Sequence, residues 1–378
     1  MRSVPTESTV GRDSRPPRGS TGKAPPERDS RPRASRGRLV PLCVGLFVLL
    51  LLSVVVAIGF GAAVVTPGDT ARYLWAALSG GRIAASEATT YQIIWEIRTP
   101  RVLLAALVGA GLSAIGVAIQ AMVRNALADP YVLGVSSGAS VGAVSVTVTG
   151  GLAGLGLHAV SAGAFLGALA ASALVYAASA SRGGMSPLRL ILTGVAMALG
   201  FQAVMSVIIY LVPSSEATST VLYWTMGSFG AATWGSLPVV ALAVVGGVVV
   251  LTRCGRALDV MALGDETAAS LGVDPDRHRK GLLVLVSLVT GAMVAVSGAI
   301  SFVGLVMPHL VRMVVGSTHA RVLVVSPLVG AVFMVWVDLV ARTLVAPREL
   351  PLGVITALVG VPVFVTLMRR RAYMFGGR

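Results

Sequence analysis

The sequence predicts an all-α integral membrane protein of about ten transmembrane helices, and three observations lead there. Hydrophobic residues make up 55% and charged residues only 12%, where soluble domains carry about 25% charged. Runs such as LVPLCVGLFVLLLLSVVVAIGFGAAVV (39–65) exceed the roughly 20 apolar residues that span a bilayer. Lys and Arg are also unevenly shared between alternate connections, as the positive-inside rule requires.

Residues 1–38 come first. They hold ten of the 30 Lys+Arg residues among Pro, Ser and Gly, with little apolar content. Such a segment cannot bury a core and is expected to be a disordered basic cytoplasmic tail. Apolar runs then place spans at roughly 39–65, 102–122, 132–151, 158–180, 188–212, 235–252, 281–297, 299–315, 322–344 and 352–368, within a membrane domain of 39–371. A split near Gly298 separates the spans 281–297 and 299–315. Residues 372–378 are expected to form a cytoplasmic end. With the N-terminus inside, 24 of the 30 basic residues fall on the inner side, which puts both termini and a polar loop at 253–280 in the cytoplasm.

The net charge of +14 does not indicate nucleic-acid binding, because much of it sits in the tail rather than on a folded face. The two lysines, Lys23 and Lys280, lie in no phosphate-binding loop, so the chain has no Walker-type ATPase site. No zinc-binding His-Glu pair, paired-Cys motif or G-x-S-x-G elbow occurs. Cys43 and Cys254 match no metal spacing and are expected to be free thiols. His309, beside Pro308, lacks a partner for metal binding and is expected to be structural or to touch the polar loop. Asp338 is the one intramembrane acid, with Arg342 four residues on and on the same helical face. A local ion pair is expected there; a proton-coupling carboxylate is the rival reading. The chain reads as a conduit whose energy comes from a partner.

Three stretches carry a family resemblance: RTPRVLLAALVGAGLSAIGVAIQAMVRNALADPYVLGVSSGASVGA (98–144), LGDETAASLGV (263–273), and SGAISFVGLVMPHLVRMVVG with VDLVARTLVAPRELPLGVITALVGVPVFVTLM (297–316 and 337–368). In this order they resemble the permease subunit of ABC importers for iron-siderophores, haem and cobalamin, the FecCD-type or type II importers. One departure is Ala126, where the family usually has Pro in Arg-Asn-Pro-Leu.

The resemblance implies a ten-helix permease that pairs with a second copy, as a homodimer or with a close paralogue. It implies two cytoplasmic ATPase subunits, which use ATP and Mg, and an extracytoplasmic substrate-binding protein. The chain itself would be no enzyme and bind no cofactor. Residues Leu263, Gly264, Asp265, Glu266, Ala268, Ala269, Leu271 and Gly272 would form the coupling helix that seats in the ATPase. Asp265 and Glu266 suit the positive first turn of that short helix, and Gly272 can end it. Arg98, Arg101 and Arg342 would receive acidic residues of the binding protein. The fifth and tenth spans would flank the path at the dimer axis, with Thr193, Met197, Gln202 and Met205 on the fifth. Ser136 and Ser137 could line a polar path or bond backbone carbonyls. Gly109, Gly111, Ser113 and Gly116 form a small-residue face, expected to pack against a neighbouring helix. The implied cargo is a ferric siderophore, with cobalamin or haem as same-build rivals.

Overall fold

The structure is a computed structural model that describes residues 36–61, 65–180, 184–211, 221 and 224–370. The expected tail up to residue 35 and the C-terminal residues from 371 lie outside these. Among the described residues there are helices and turns but no strand.

Helix α1 runs Arg36–Gly59, beginning inside the segment expected as tail. The helical elements between the first two expected spans were not foreseen. Helix α2 (Pro67–Ser79) is capped by the Thr66 hydroxyl, which accepts from the Asp69 N–H at 3.2 Å, and Pro67 opens it. Helix α3 (Ala88–Gln92) passes through a π-helical turn, Ile93–Arg98, into α4 (Thr99–Met122). Then follow α5 (Val135–Thr149), α6 (Ala159–Ser179), α7 (Pro187–Leu211) and α8 (Leu237–Arg253). Next come the short α9 (Gly255–Met261) and α10 (Asp265–Ser270), then α11 (Pro275–Ser297), α12 (Val303–Val315), α13 (His319–Thr343) and α14 (Leu352–Arg370).

Every expected span carries an apolar helix, but not every helix is long enough to cross. Six qualify by length and composition: α1, the run Ala85–Met122, α6, α7, α11 and α13. The pair α8 and α9, bent by 60°, makes a seventh if counted as one span, while Val135–Thr149, Val303–Val315 and Leu352–Leu367 are shorter. The break at Gly298 is real. Its φ of +65° suits glycine, and a Cβ there would run into the Trp224 carbonyl, so α11 ends and α12 starts five residues later.

Helix α4 is the axis of the bundle, buried along nearly its whole length and packed against α13, α12, α8 and α11. Its small-residue face makes this possible. A Cβ on Gly109 or Gly116 would collide with the carbonyls of Gly330 on α13 or Gly304 on α12, and one on Gly111 with Met293. Backbones meet there at van der Waals distance, which is how helices associate in lipid without a hydrophobic driving force. Helices α1 and α7 are apolar yet largely exposed, as lipid-facing or partner-facing helices are.

Candidate functional site

The polar loop folds into a compact unit. Gly264, with φ +118°, turns the chain into α10, whose first turn carries Asp265 and Glu266. At the other end Gly272 takes φ +80°. The Val273 N–H bonds the Ala268 carbonyl at 2.9 Å and the Gly272 N–H bonds that of Ala269 at 3.0 Å, a Schellman closure. Leu263 (65% exposed), Ala269 and Leu271 (59% exposed) face outward with Glu266. Ala268 does not. It is fully buried against the rest of the chain, which corrects its expected place among the residues that seat in the ATPase.

What holds this unit is Arg279, in the second turn of α11 and 1% exposed. Its Nη2 donates to Asp265 Oδ1 at 2.8 Å, Nη1 to the Met185 carbonyl at 2.7 Å, and Nε to the Met122 carbonyl at 3.3 Å. Asp276 Oδ1 accepts from the Met185 N–H at 3.0 Å. In the sequence Arg279 stands between Arg277 and Lys280 at the end of the polar loop, with nothing in that local charge run to set it apart. A signal was present: Arg279, Leu282, Leu283 and Val286 follow the i, i+3, i+4, i+7 spacing of a buried stripe, and all four are buried. Beside this unit a cavity of about 220 Å³ gathers Gln120, Arg124, His309, Arg312 and His319 with Ala262.

At the opposite end of the bundle lie the three arginines expected on an open docking face. The structure places them elsewhere: Arg98 is 5%, Arg101 7% and Arg342 7% exposed. Arg101 donates Nε to Asp338 Oδ1 at 2.8 Å and clasps Glu349 through both Nη atoms at 2.7 and 2.9 Å. Arg342 Nε stands 3.3 Å from Asp338 Oδ2, and its Nη atoms donate to the carbonyls of Phe60 (2.9 Å) and Ala57. Arg98 Nη1 donates to the carbonyls of Ile58 and Gly59 at 3.1 and 2.9 Å. The physical reason is reach. Two carboxylates and the C-terminal carbonyls of α1 lie within one side chain's length, so the guanidinium forks are engaged inside the chain. The expected Asp338–Arg342 pair is present, and the acid is wholly buried between two guanidinium groups.

A cavity of about 660 Å³ is lined by Tyr131, Thr225, Met226, Ala299, Ser301 and the α14 face from Gly353 to Pro362. The tenth expected span therefore flanks it, whereas the fifth, α7, does not. Of the path candidates, Ser136 and Met205 are buried in packing, and Ser140 donates back to the Ser136 carbonyl at 3.1 Å. Ser137, Thr193 and Met197 are half-buried, and Gln202 is exposed. None of the six lines this cavity. Tyr131 reaches it from the turn Asp129-Pro130-Tyr131. In that turn Asp129 Oδ1 accepts from the N–H groups of Tyr131 (2.9 Å) and Val132 (3.3 Å). Burial pushes the Asp129 carboxyl up to about 6, against the pull of those two N–H groups.

The profile of the FecCD transport family matches residues 49–370. The chain belongs to the FecCD transport family. It is 40% identical to the ABC transporter permease protein YvrB of Bacillus subtilis over 90% of this chain and 97% of that one. The hemin transport system permease protein HmuU of Yersinia pestis is 38% identical over 89% and 98%. The cobalamin import system permease protein BtuC of Halobacterium salinarum is 42% identical over 75% of each. Among solved structures, a metal-chelate type ABC transporter in an inward-facing conformation superposes with a TM-score of 0.75 at 31% identity, over 88% of this chain and 99% of that chain. This FecCD protein is a multi-pass membrane permease subunit of an ABC importer. It is not an enzyme; ATPase activity lies in a separate subunit, and a substrate-binding protein is the other partner.

Proposed function

We propose that this permease imports ferric siderophores, with residues 263–273 as the seat of the ATPase subunit. The observation that carries the coupling role is the exposed Leu263–Ala269–Leu271 surface on a helix clamped to the bundle by a buried arginine. An ordinary solvated loop has no need of apolar exposure or of such an anchor. Both termini are taken as cytoplasmic from the positive-inside asymmetry, so the Arg101–Asp338 end faces out and toward the binding protein. ATP and Mg act in the ATPase partner. The exposed apolar surfaces of α7 and of α14, the latter beside a cavity large enough for a chelate, support pairing with a second permease copy, identical or closely paralogous.

The relatives' names support a bulky chelate as cargo: iron(3+)-citrate, iron(3+)-hydroxamate, hemin and cobalamin. A mostly apolar cavity wall fits a substrate that passes without tight binding. The test is co-purification from native membrane followed by uptake of labelled ferric siderophore, haem and cobalamin. A P-loop ATPase is expected with the native chain and lost with Leu271→Asp, while Leu263→Asp weakens it. Ala268→Arg is avoided because that site is buried. Uptake of cobalamin or haem in preference to ferric siderophore would overturn the substrate reading, and an ATPase retained fully by Leu271→Asp would overturn the coupling reading.

A further inference from the structure

We infer that Arg279 is the positioning residue that makes the coupling segment, the inner end of α4 and the start of α7 move together. The inference rests on the reading of residues 263–273 as ATPase-facing. A six-residue helix has too little buried surface to move a bundle by itself; coupling needs stiff ties to elements with somewhere to go. The chain supplies one tie through Asp274, which caps α11 by accepting from the Arg277 N–H at 3.1 Å. The other is the Asp265–Arg279 bond, which closes residues 265–279 into a ring. With both, α10 and the first turns of α11 form one unit.

Two arms of the same guanidinium leave that unit. Nε reaches the carbonyl of Met122, the last residue of α4, where helix carbonyls have no partner of their own. Nη1 reaches the carbonyl of Met185, two residues ahead of α7. The Met185 peptide is held from its other side too, since its N–H donates to Asp276 on the first turn of α11. The chain entering α7 is thus gripped by both faces of one residue and must follow α11. Helix α7 is also among the least buried of the long helices, so little else in the chain resists its tilt. The site demands arginine. Three acceptors on three elements match a planar fork of donors, and a lysine ammonium, a point charge, cannot span them.

The experiment uses the full permease with its ATPase and binding protein in lipid vesicles, comparing native chain, Asp265→Asn and Arg279→Lys. The carboxylate of Asp265 is 37% exposed, so its isosteric amide leaves the fold intact while weakening one arm. Readouts are complex yield, basal ATP hydrolysis, and substrate delivered per ATP. With every readout taken per assembled complex, Asp265→Asn is expected to lower delivery per ATP about fivefold or more, and Arg279→Lys to lower it further. Delivery per ATP unchanged in both variants, or yield and all activities falling in proportion as for a merely structural bond, overturns the relay. A native chain that recruits no ATPase at all overturns the underlying reading of the segment instead, so the two failures are distinct.

Discussion

Removal of the Asp338 carboxylate tests whether the buried charges at the far end are structural. Asp338 is wholly buried, with Arg101 Nε at 2.8 Å and Arg342 Nε at 3.3 Å. Breaking a buried pair by deleting one partner costs about 3–5 kcal/mol, because the other charge is stranded. Here neither arginine is left with nothing. Arg101 retains its double bond to Glu349, and Arg342 its two carbonyls on α1 and just beyond. Asp338→Ala should therefore sit at the lower end, about 3 kcal/mol, and Asp338→Asn below it because the amide keeps an acceptor. Glu349 is one-third exposed, so water screens its pair, and Glu349→Gln should cost only about 1 kcal/mol. Equilibrium unfolding of the purified protein in mixed micelles, titrated with denaturing detergent, measures all three. If Glu349→Gln costs as much as Asp338→Ala, or the latter costs under about 1 kcal/mol, the network does not hold this end together. The functional arm is sharper. Folded Asp338→Asn should transport with native dependence on ATP and none on a proton gradient. Transport abolished at undiminished stability would mean the carboxylate titrates during the cycle.

Other outcomes follow from single contacts. Gly116→Val drives two methyl groups into the Gly304 carbonyl region and should cost about 3 kcal/mol or prevent folding, whereas Gly246→Ala, with open space around it, should be near neutral; detergent-titration midpoints of the two compare them. The Asp129 carboxyl, raised to about 6 from an ordinary 3.8, binds its proton more tightly folded than unfolded. Its contribution to stability is fully present below pH 3.8 and lost as pH rises through 6. Asp129→Asn, which keeps an acceptor for both turn N–H groups, should gain in melting temperature over the native chain progressively from pH 4 to 7; a constant difference would refute this. Ser53→Ala removes the acceptor of the Trp336 indole N–H, 3.0 Å away, between α1 and α13. Interhelical bonds of this kind average about 0.6 kcal/mol in membranes, so a cost above about 2 kcal/mol would show that more than this bond had been lost.

The helical spans were legible because a bilayer leaves few ways to satisfy a backbone, and twenty apolar residues announce one of them. The packing of α4 was legible for a similar reason: Gly109 and Gly116 have no side chain to put between two helices. The direction in which individual residues face was harder to read. The resemblance makes Arg98, Arg101 and Arg342 docking groups for the binding protein. Yet Arg101, Leu104, Ala105 and Val108 lie on one buried stripe, as Asp338, Ala341 and Arg342 lie with Met334 and Val335. Helical phase points these residues inward, whereas the docking role follows from the resemblance alone. Ala268 was misplaced for want of phase, because a six-residue helix offers too few turns to establish one. The cavity was missed for another reason. Its wall combines Tyr131, Thr225, Ser301 and α14, residues far apart in sequence, and no local pattern joins them.

The buried arginines share a chemistry that explains why a chain with so few charges spends them in its interior. Three of the four donate to the carbonyls at a helix end, Arg98 and Arg342 to residues 57–60 at the end of α1 and Arg279 to Met122 at the end of α4, while Arg101 is held by Asp338 and Glu349. Those carbonyls carry the negative pole of the helix and lack intrahelical donors. A cation supplied from another helix satisfies them and fastens the two elements together, where apolar packing alone gives no preference over lipid. The two ends then differ in connectivity. At the Asp338 end, two carboxylates and three arginines tie α1, α4 and α13 in a closed and redundant set, so any one tie can fail without freeing a helix. At the other end most ties between α4, α11, the entry to α7 and the coupling segment converge on one guanidinium, with the Asp276 carboxylate adding a second hold on Met185. A redundant clamp resists motion, whereas a single hub transmits it. A permease driven from one side needs the first where its helices must hold and the second where force enters.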